Sequence, residues 1–270
     1  MKPASFDYVR PGSLDDALAA LAGDPGAKVL AGGQSLVPLL SMRLAAPSRL
    51  VDINGLPGLD EVTVSPDGVR VGALARHADV LAHEEVARVQ PLLRLALSHV
   101  AHATIRNRGT TVGSIVHADS AAELPMVLSL LAGSLEVVGP SGARTIPASK
   151  LYVGPLESSL AHDEIATSAS FPALAPGGRV AFAEIARRHG DYALVGAAAL
   201  VEGGSVKVGY VSVSDVPVVV DLSGVPVEDL GEAALERLEP AGDIHATAAY
   251  RAHLVRVLTE RVVREATGDE

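Results

Sequence analysis

Two glycine-rich stretches hold the residues whose types and spacing suit a chemical role. In the first, an apolar run ends in Ala31-Gly32-Gly33-Gln34-Ser35-Leu36, and a helix-like run follows. Glycines have no Cβ, so the backbone can approach a ligand closely. The N–H groups at the start of a helix, together with the helix dipole, favour an anion. The stretch therefore suits an anion such as a pyrophosphate, although a Gly-Gly turn before a helix also occurs without any ligand.

The second stretch is a glycine-rich loop between Arg106 and Pro125. Its backbone amides and hydroxyls come from Thr110, Thr111, Gly113 and Ser114. Asp119 and Glu123 follow, four residues apart, and their carboxylates could accept hydrogen bonds from the hydroxyls of a sugar. Helix capping is the competing interpretation, because acids are favoured in the first turn of a helix. The first stretch contains neither the Walker pattern nor the G-x-G-x-x-G pattern.

The elements around these stretches predict an α+β protein. The first fifty-odd residues read as helix, strand, helix and strand, with Ser13 capping the first helix. Strand signals surround the turn "SPDG", and a mostly helical segment follows it, with a break before Pro91. The Pro/Gly-rich "FPALAPGGR" marks a boundary. We therefore divide the chain into residues 1–55, 56–172 and 173–270, the last being a sheet with helices.

The last segment of this third unit reads as one long helix. Its apolar residues fall near one face. They are Ile244, Ala248, Val255, Leu258 and Val262.

Composition excludes several classes of function. The 270-residue chain has a formal net charge of −10, which argues against nucleic acid or an anionic membrane surface as its partner. Cysteine is absent, so the chain has no ligands for an iron–sulfur cluster and forms no disulfide. No apolar run has the length of a membrane span, and we expect a cytoplasmic protein. His99 and His102 lack the further ligands that a metal site needs, so no metal site is predicted.

Taken together and in this order, the two stretches resemble motifs of the FAD-binding medium subunits of molybdenum hydroxylases. That family includes aerobic carbon monoxide dehydrogenase and xanthine dehydrogenase relatives. The first motif, A-G-G-x-S-L, is intact. The second is matched from Arg108 to Pro125, and a third, R-R-x-G-D-[FY]-A, is matched from Arg187 to Ala193. The resemblance covers essentially the whole chain.

The resemblance implies a vanillyl-alcohol-oxidase-type fold, with two α/β FAD-binding subdomains and a C-terminal α+β domain. Residues 31–36 would hold the FAD pyrophosphate, and residues 110–114 would form the second wall of the site. Asp119 and Glu123 would reach ribityl hydroxyls, while Asp191 and Tyr192 would lie over the flavin. The partners would be a molybdopterin-containing large subunit and an iron–sulfur small subunit, and the flavin would pass electrons to an external acceptor.

Two residues depart from the family pattern. Val112 stands where the family has the first glycine of a Gly-Gly pair, and Ser120 stands where it has proline. Because a β-branched residue does not easily adopt a positive φ, we expect an altered path of the second loop. Two alternatives therefore stay open: a stand-alone flavoenzyme of the same fold, and a flavin-free binding protein descended from it.

Overall fold

The computed structural model describes residues 2–268, which form three sheets, a small hairpin and the helices around them. The first sheet is parallel, in the order β1-β3-β2. Its strands are β1 (Asp7–Val9), β2 (Ala27–Leu30) and β3 (Arg49–Asp52). Helices α1 (Leu14–Ala22) and α2 (Leu36–Met42) connect these strands. The helix–strand–helix–strand prediction is confirmed, with β1 as an added first strand.

The second sheet is antiparallel, in the order β4-β5-β10-β6-β7. Its strands are β4 (Val62–Ser65), β5 (Gly68–Gly72), β6 (Ser134–Gly139), β7 (Gly142–Pro147) and β10 (Ile165–Pro172). Strands β8 (Tyr152–Gly154) and β9 (Glu157–Ser158) form the separate hairpin. The helices of this part of the chain are α3 (His77–Ala82), α4 (Glu84–Val89), α5 (Pro91–His99), α6 (Ala103–Arg106), α7 (Thr111–His117) and α8 (Glu123–Leu130).

The second glycine-rich stretch is therefore not the continuous loop that the sequence predicted. Helix α7 and the start of α8 occupy half of it, and α6 ends at its first residue. Thr110 caps α7, because its side-chain oxygen accepts a hydrogen bond from the Gly113 N–H at 3.1 Å. The glycine content misled the prediction, since Gly113 lies inside a helix.

The third sheet follows the chain order β11-β12-β13-β14 and is antiparallel. Its strands are β11 (Arg179–Ala186), β12 (Ala193–Glu202), β13 (Ser205–Val211) and β14 (Val218–Asp221), followed by α9 (Leu230–Leu235) and α10 (Ala248–Thr267). The long helix begins later than predicted. Ile244 lies before it and is 94% exposed, and Ala248 is exposed as well, so both were wrongly placed on the buried face.

Two apolar cores hold these layers together. One core lies between the first two sheets and their helices, and it extends to one face of the third sheet through Phe182 and Ala198. The other lies between the opposite face of the third sheet and α9 and α10, around Val255 and Leu258. Strand β12 is covered on both faces, which explains its almost uninterrupted apolar sequence. No helix within residues 2–268 is long and apolar enough to cross a bilayer.

Candidate functional site

The two glycine-rich stretches lie directly against each other. A Cβ added to Gly32 would come within 2.5 Å of the Arg108 carbonyl oxygen and 2.8 Å of the Gly109 Cα. Real Cβ atoms do not approach that closely, so Gly32 is required by this contact between the two segments. Gly33 meets a different requirement, because its φ of +74° is in the left-handed region that favours glycine.

Backbone N–H groups remain free at the start of α2. Within residues 2–268, the N–H groups of Gly32, Gly33, Gln34 and Ser35 have no hydrogen-bond partner in the protein. Ser35 is the N-cap of α2, and its side chain makes no capping hydrogen bond. Free N–H groups before a helix are suited to bind the oxygens of an anion.

Hydrogen bonds from the side chains of Arg76 and Asn54 connect the two stretches. The Arg76 guanidinium donates one hydrogen bond to the Arg108 carbonyl at 2.7 Å and another to Asn54 Oδ1 at 2.8 Å. The Asn54 amide in turn donates to the Ala31 carbonyl at 2.8 Å. The planar guanidinium can hold both acceptors at once, so Arg76 and Asn54 fix the spacing of the stretches.

Asp52 supports this network from the end of β3. It is 9% exposed and accepts hydrogen bonds from the Tyr8 hydroxyl at 2.5 Å and from the Asn54 side-chain amide at 2.6 Å. Burial alone would raise the pKa of Asp52, but the hydrogen bonds from Tyr8 and Asn54 bring this pKa below its usual value. The carboxylate therefore stays charged and orients Asn54.

The second stretch is anchored on His77, the first residue of α3. The His77 N–H donates to the Gly109 carbonyl at 3.0 Å, and His77 Nδ1 lies 3.2 Å from the Thr111 hydroxyl oxygen. Burial and the nearby Arg106 lower the pKa of His77 to about 4, so the ring is neutral at physiological pH. The Thr111 side chain is therefore inside the protein, whereas Gly113 is exposed and Ser114 is partly exposed.

Val112 does not distort the second stretch, contrary to the expectation from its sequence. It lies in the first turn of α7, outside the set of residues with positive φ, and is 2% exposed. Ser120 is also accommodated, because its carbonyl accepts a hydrogen bond from the Ser212 N–H at 2.9 Å. Neither residue has a positive φ, so neither needs the backbone conformation that the expected change of path assumed.

A turn after α7 brings Asp119 towards the third sheet. Asp119 Oδ1 accepts the Ala121 N–H at 2.9 Å, so this carboxylate also shapes the turn. Tyr192 lies just before β12 rather than inside a strand, and 61% of it is exposed. Partial burial of its phenol, with the adjacent carboxylates of Asp119 and Glu123, raises the pKa of Tyr192 to about 12.

Glu123, the first residue of α8, is a buried acid. It is 7% exposed, and burial together with the carboxylates of Glu184 and Asp119 raises its pKa to about 8. Asp191, by contrast, forms ion pairs with Arg187 at 3.5 Å and Arg188 at 3.3 Å. Both arginines therefore pair with Asp191, although their side chains are largely exposed.

Among the predicted residues, those of 31–36 and 110–114 meet at one end of α7, and Asp119, Glu123 and Tyr192 meet at the other. Seven helical residues span about 10 Å, so the two groups suit different parts of one extended ligand. Sequence reasoning missed Asn54 and Arg76. The only signal was their setting, an Asn after the strand "RLVDI" and an Arg alone in the apolar "GALARHADV".

Residues 4–174 match the family described as the FAD binding domain in molybdopterin dehydrogenase. The chain belongs to this family. It is an oxidoreductase subunit that binds FAD, with an α+β fold, and the members of the family include medium subunits of molybdenum hydroxylases.

Several relatives match along essentially their full length. The 6-hydroxypseudooxynicotine dehydrogenase complex subunit alpha of Paenarthrobacter nicotinovorans is 40% identical, over 98% of this chain and 96% of the relative. The quinoline 2-oxidoreductase structure from Pseudomonas putida 86 superposes with a TM-score of 0.91 at 35% identity, covering 99% of both chains. Carbon monoxide dehydrogenase from Hydrogenophaga pseudoflava gives a TM-score of 0.93 at 29% identity, with 99% of both chains covered.

Proposed function

We propose that this flavoprotein subunit receives electrons from the iron–sulfur clusters of a partner chain and passes them to an external acceptor. A third, molybdopterin-containing chain would oxidise the substrate. The relatives are named as subunits or medium chains of such dehydrogenases, which supports a shared assembly. The chain has no cysteine, so the iron–sulfur clusters of such an assembly would belong to another chain.

The observation that carries the FAD site is the junction of the two glycine-rich stretches. Four free N–H groups there, from Gly32 to Ser35, would bind the pyrophosphate of FAD, and Thr110, Gly113 and Ser114 would line the opposite wall. The polar side chains at the far end of α7, those of Asp119, Glu123 and Tyr192, would contact the ribityl and ring portions. These free donors and the buried carboxyl of Glu123 suit a cofactor with a phosphate end and a polar ring.

The protein's own contribution is to position the cofactor and to shape its surroundings. Bound FAD would supply the redox chemistry, accepting electrons and giving them up again. Arg76 and Asn54 keep the two walls at a fixed spacing, and the exposed ring of Tyr192 would control access to the flavin. Asp191 would hold the loop before Tyr192 in place through Arg187 and Arg188.

The proposed site can be tested with an arginine pair. In Arg76→Lys, a single ammonium cannot hold the Arg108 carbonyl and Asn54 together, so we expect FAD affinity to fall about tenfold or more. Arg70→Lys is the control, because Arg70 is exposed on β5. Titration with FAD, followed by flavin absorbance, measures both. Equal affinity in the wild type and Arg76→Lys would contradict this site.

The electron-transfer role is tested by purifying the tagged chain from its native host. We expect FAD, iron and molybdenum to co-purify in a fixed ratio. Adding the substrate that the molybdenum chain oxidises should supply electrons that reduce the flavin and bleach its absorbance. A yellow protein without iron or molybdenum would instead favour the stand-alone flavoenzyme. A colourless, folded protein that ignores added FAD would overturn the proposal and favour a flavin-free binding protein.

A further inference from the structure

A group of titratable side chains lies between the second and third sheets, at the far end of α7. His99 ends α5, Glu184 lies on β11 and Glu123 begins α8. His99 Nδ1 lies 3.1 Å from Glu184 Oε1, and the Glu184 side chain is 5% exposed. The second oxygen of Glu184, Oε2, is buried without a hydrogen-bond partner in residues 2–268.

Glu123 is the member of this group whose carboxyl forms no hydrogen bond or ion pair with another side chain in residues 2–268. It is 7% exposed, so its carboxyl lies almost entirely inside the protein. The groups that face it are Glu184 from β11, His99 from α5 and Asp119 from the preceding turn, with Tyr192 close by. His99 is the basic side chain among them, and its Nδ1 already contacts Glu184.

Burial and the neighbouring negative charges therefore both disfavour ionisation of Glu123. A second buried carboxylate beside Glu184 would be expensive, because neither burial nor a neighbouring negative charge favours ionisation. The pKa of Glu123 is accordingly raised to about 8. Unlike a carboxylate, a neutral carboxylic acid can donate a hydrogen bond.

We propose that Glu123 keeps its proton at neutral pH and donates a hydrogen bond from its carboxylic acid to an acceptor atom of the bound flavin. The Glu184 carboxylate, which His99 holds in place, lies behind it, and the negative charge of Glu184 disfavours ionisation of Glu123. The inference rests on the FAD site proposed above. A flavin ring presents carbonyl oxygens and ring nitrogens as acceptors, and a neutral donor can contact them without adding a negative charge to the site.

The test is the pH dependence of FAD affinity in the full-length chain, from pH 7 to pH 9. If the protonated form binds, the Kd of the wild type rises about tenfold over this range. Glu123→Gln keeps a neutral donor, so its Kd should stay within about twofold. Glu85→Gln, which removes an exposed acid of α4, should retain the dependence of the wild type.

An infrared spectrum of the apoprotein provides a second readout that needs no flavin. At pH 7 the wild type should show the carbonyl band of a protonated carboxylic acid, and Glu123→Gln should lack it. A Kd of the wild type that is constant over the pH range, or a Glu123→Gln variant with the same pH dependence, would overturn the inference and leave the FAD site intact. Absence of FAD binding at every pH would overturn both.

Discussion

At the scale of single residues, the motif at Gly32 was recognised correctly, but the reason given for the glycine was incomplete. The sequence pattern explained the glycine by close approach of a pyrophosphate. In the structure, the space that a Gly32 side chain would need is filled by the backbone at Arg108 and Gly109. The motif therefore builds the site by joining two segments that are more than seventy residues apart in sequence.

Replacing Gly32 by alanine should push the two stretches apart. We expect Gly32→Ala to lower the free energy of unfolding by about 1–3 kcal/mol, as overpacking does, and to weaken FAD binding as well. Gly12→Ala is the matched control, because nothing lies within 4 Å of a Cβ added there. Urea denaturation and FAD titration measure the two effects. A Gly32→Ala chain as stable as Gly12→Ala would show that the contact is easily relieved.

The residues that sequence reasoning missed have long-range partners. Arg76 is 22 residues from Asn54 and 32 residues from Arg108 along the chain. Its two hydrogen bonds can form only when the first sheet, which carries Asn54 just after β3, packs beside the second. Nothing in the local pattern around "GALARHADV" marks this arginine as a bridge. Local signals such as the Ser13 cap were predictable because both partners lie within one turn, the Asp16 N–H being 3.1 Å from Ser13 Oγ.

At the scale of elements, α7 explains why Val112 is tolerated. A loop through this position would need an unusual φ, but a helix needs only the ordinary α conformation, which valine adopts. The side chain is 2% exposed and belongs to the larger of the two cores. The sequence could show the departure from the family pattern, but the element that accommodates it depends on packing against β5 and β10.

Replacing Val112 by the family's glycine should therefore destabilise the protein. We expect Val112→Gly to lower the free energy of unfolding by about 3 kcal/mol, through a cavity and a more flexible backbone. Val257→Gly, at a position 46% exposed in α10, should cost at most about 1 kcal/mol. Denaturation curves of both variants, with FAD titration, provide the measurement. Tighter FAD binding by Val112→Gly would contradict this interpretation and revive the idea of an impaired second stretch.

At the scale of the whole molecule, the third sheet is held between α10 on one face and α5 and α8 on the other. The sequence predicted this sheet, its long C-terminal helix and the mostly helical segment that contains α5. It could not predict which layer covers which face, because that depends on contacts between distant segments. The His99–Glu184 pair is one such contact, since it joins α5 to β11 across the junction beside the proposed flavin ring.

This junction should give the stability of the chain a recognisable pH dependence. The hydrogen bond from His99 to Glu184 raises the pKa of His99, so the pair stabilises fully below the ordinary histidine pKa, near 6.5. That stabilisation is lost as the pH rises through the raised value. The Tm difference between the wild type and His99→Gln should therefore be larger at pH 6 than at pH 9. A Tm difference that is the same at both pH values would come from lost packing between the His99 and Phe182 rings, whose centroids lie 4.9 Å apart. It would show that the ion pair contributes nothing to stability. His162→Gln, at an exposed position, controls for the loss of a histidine as such.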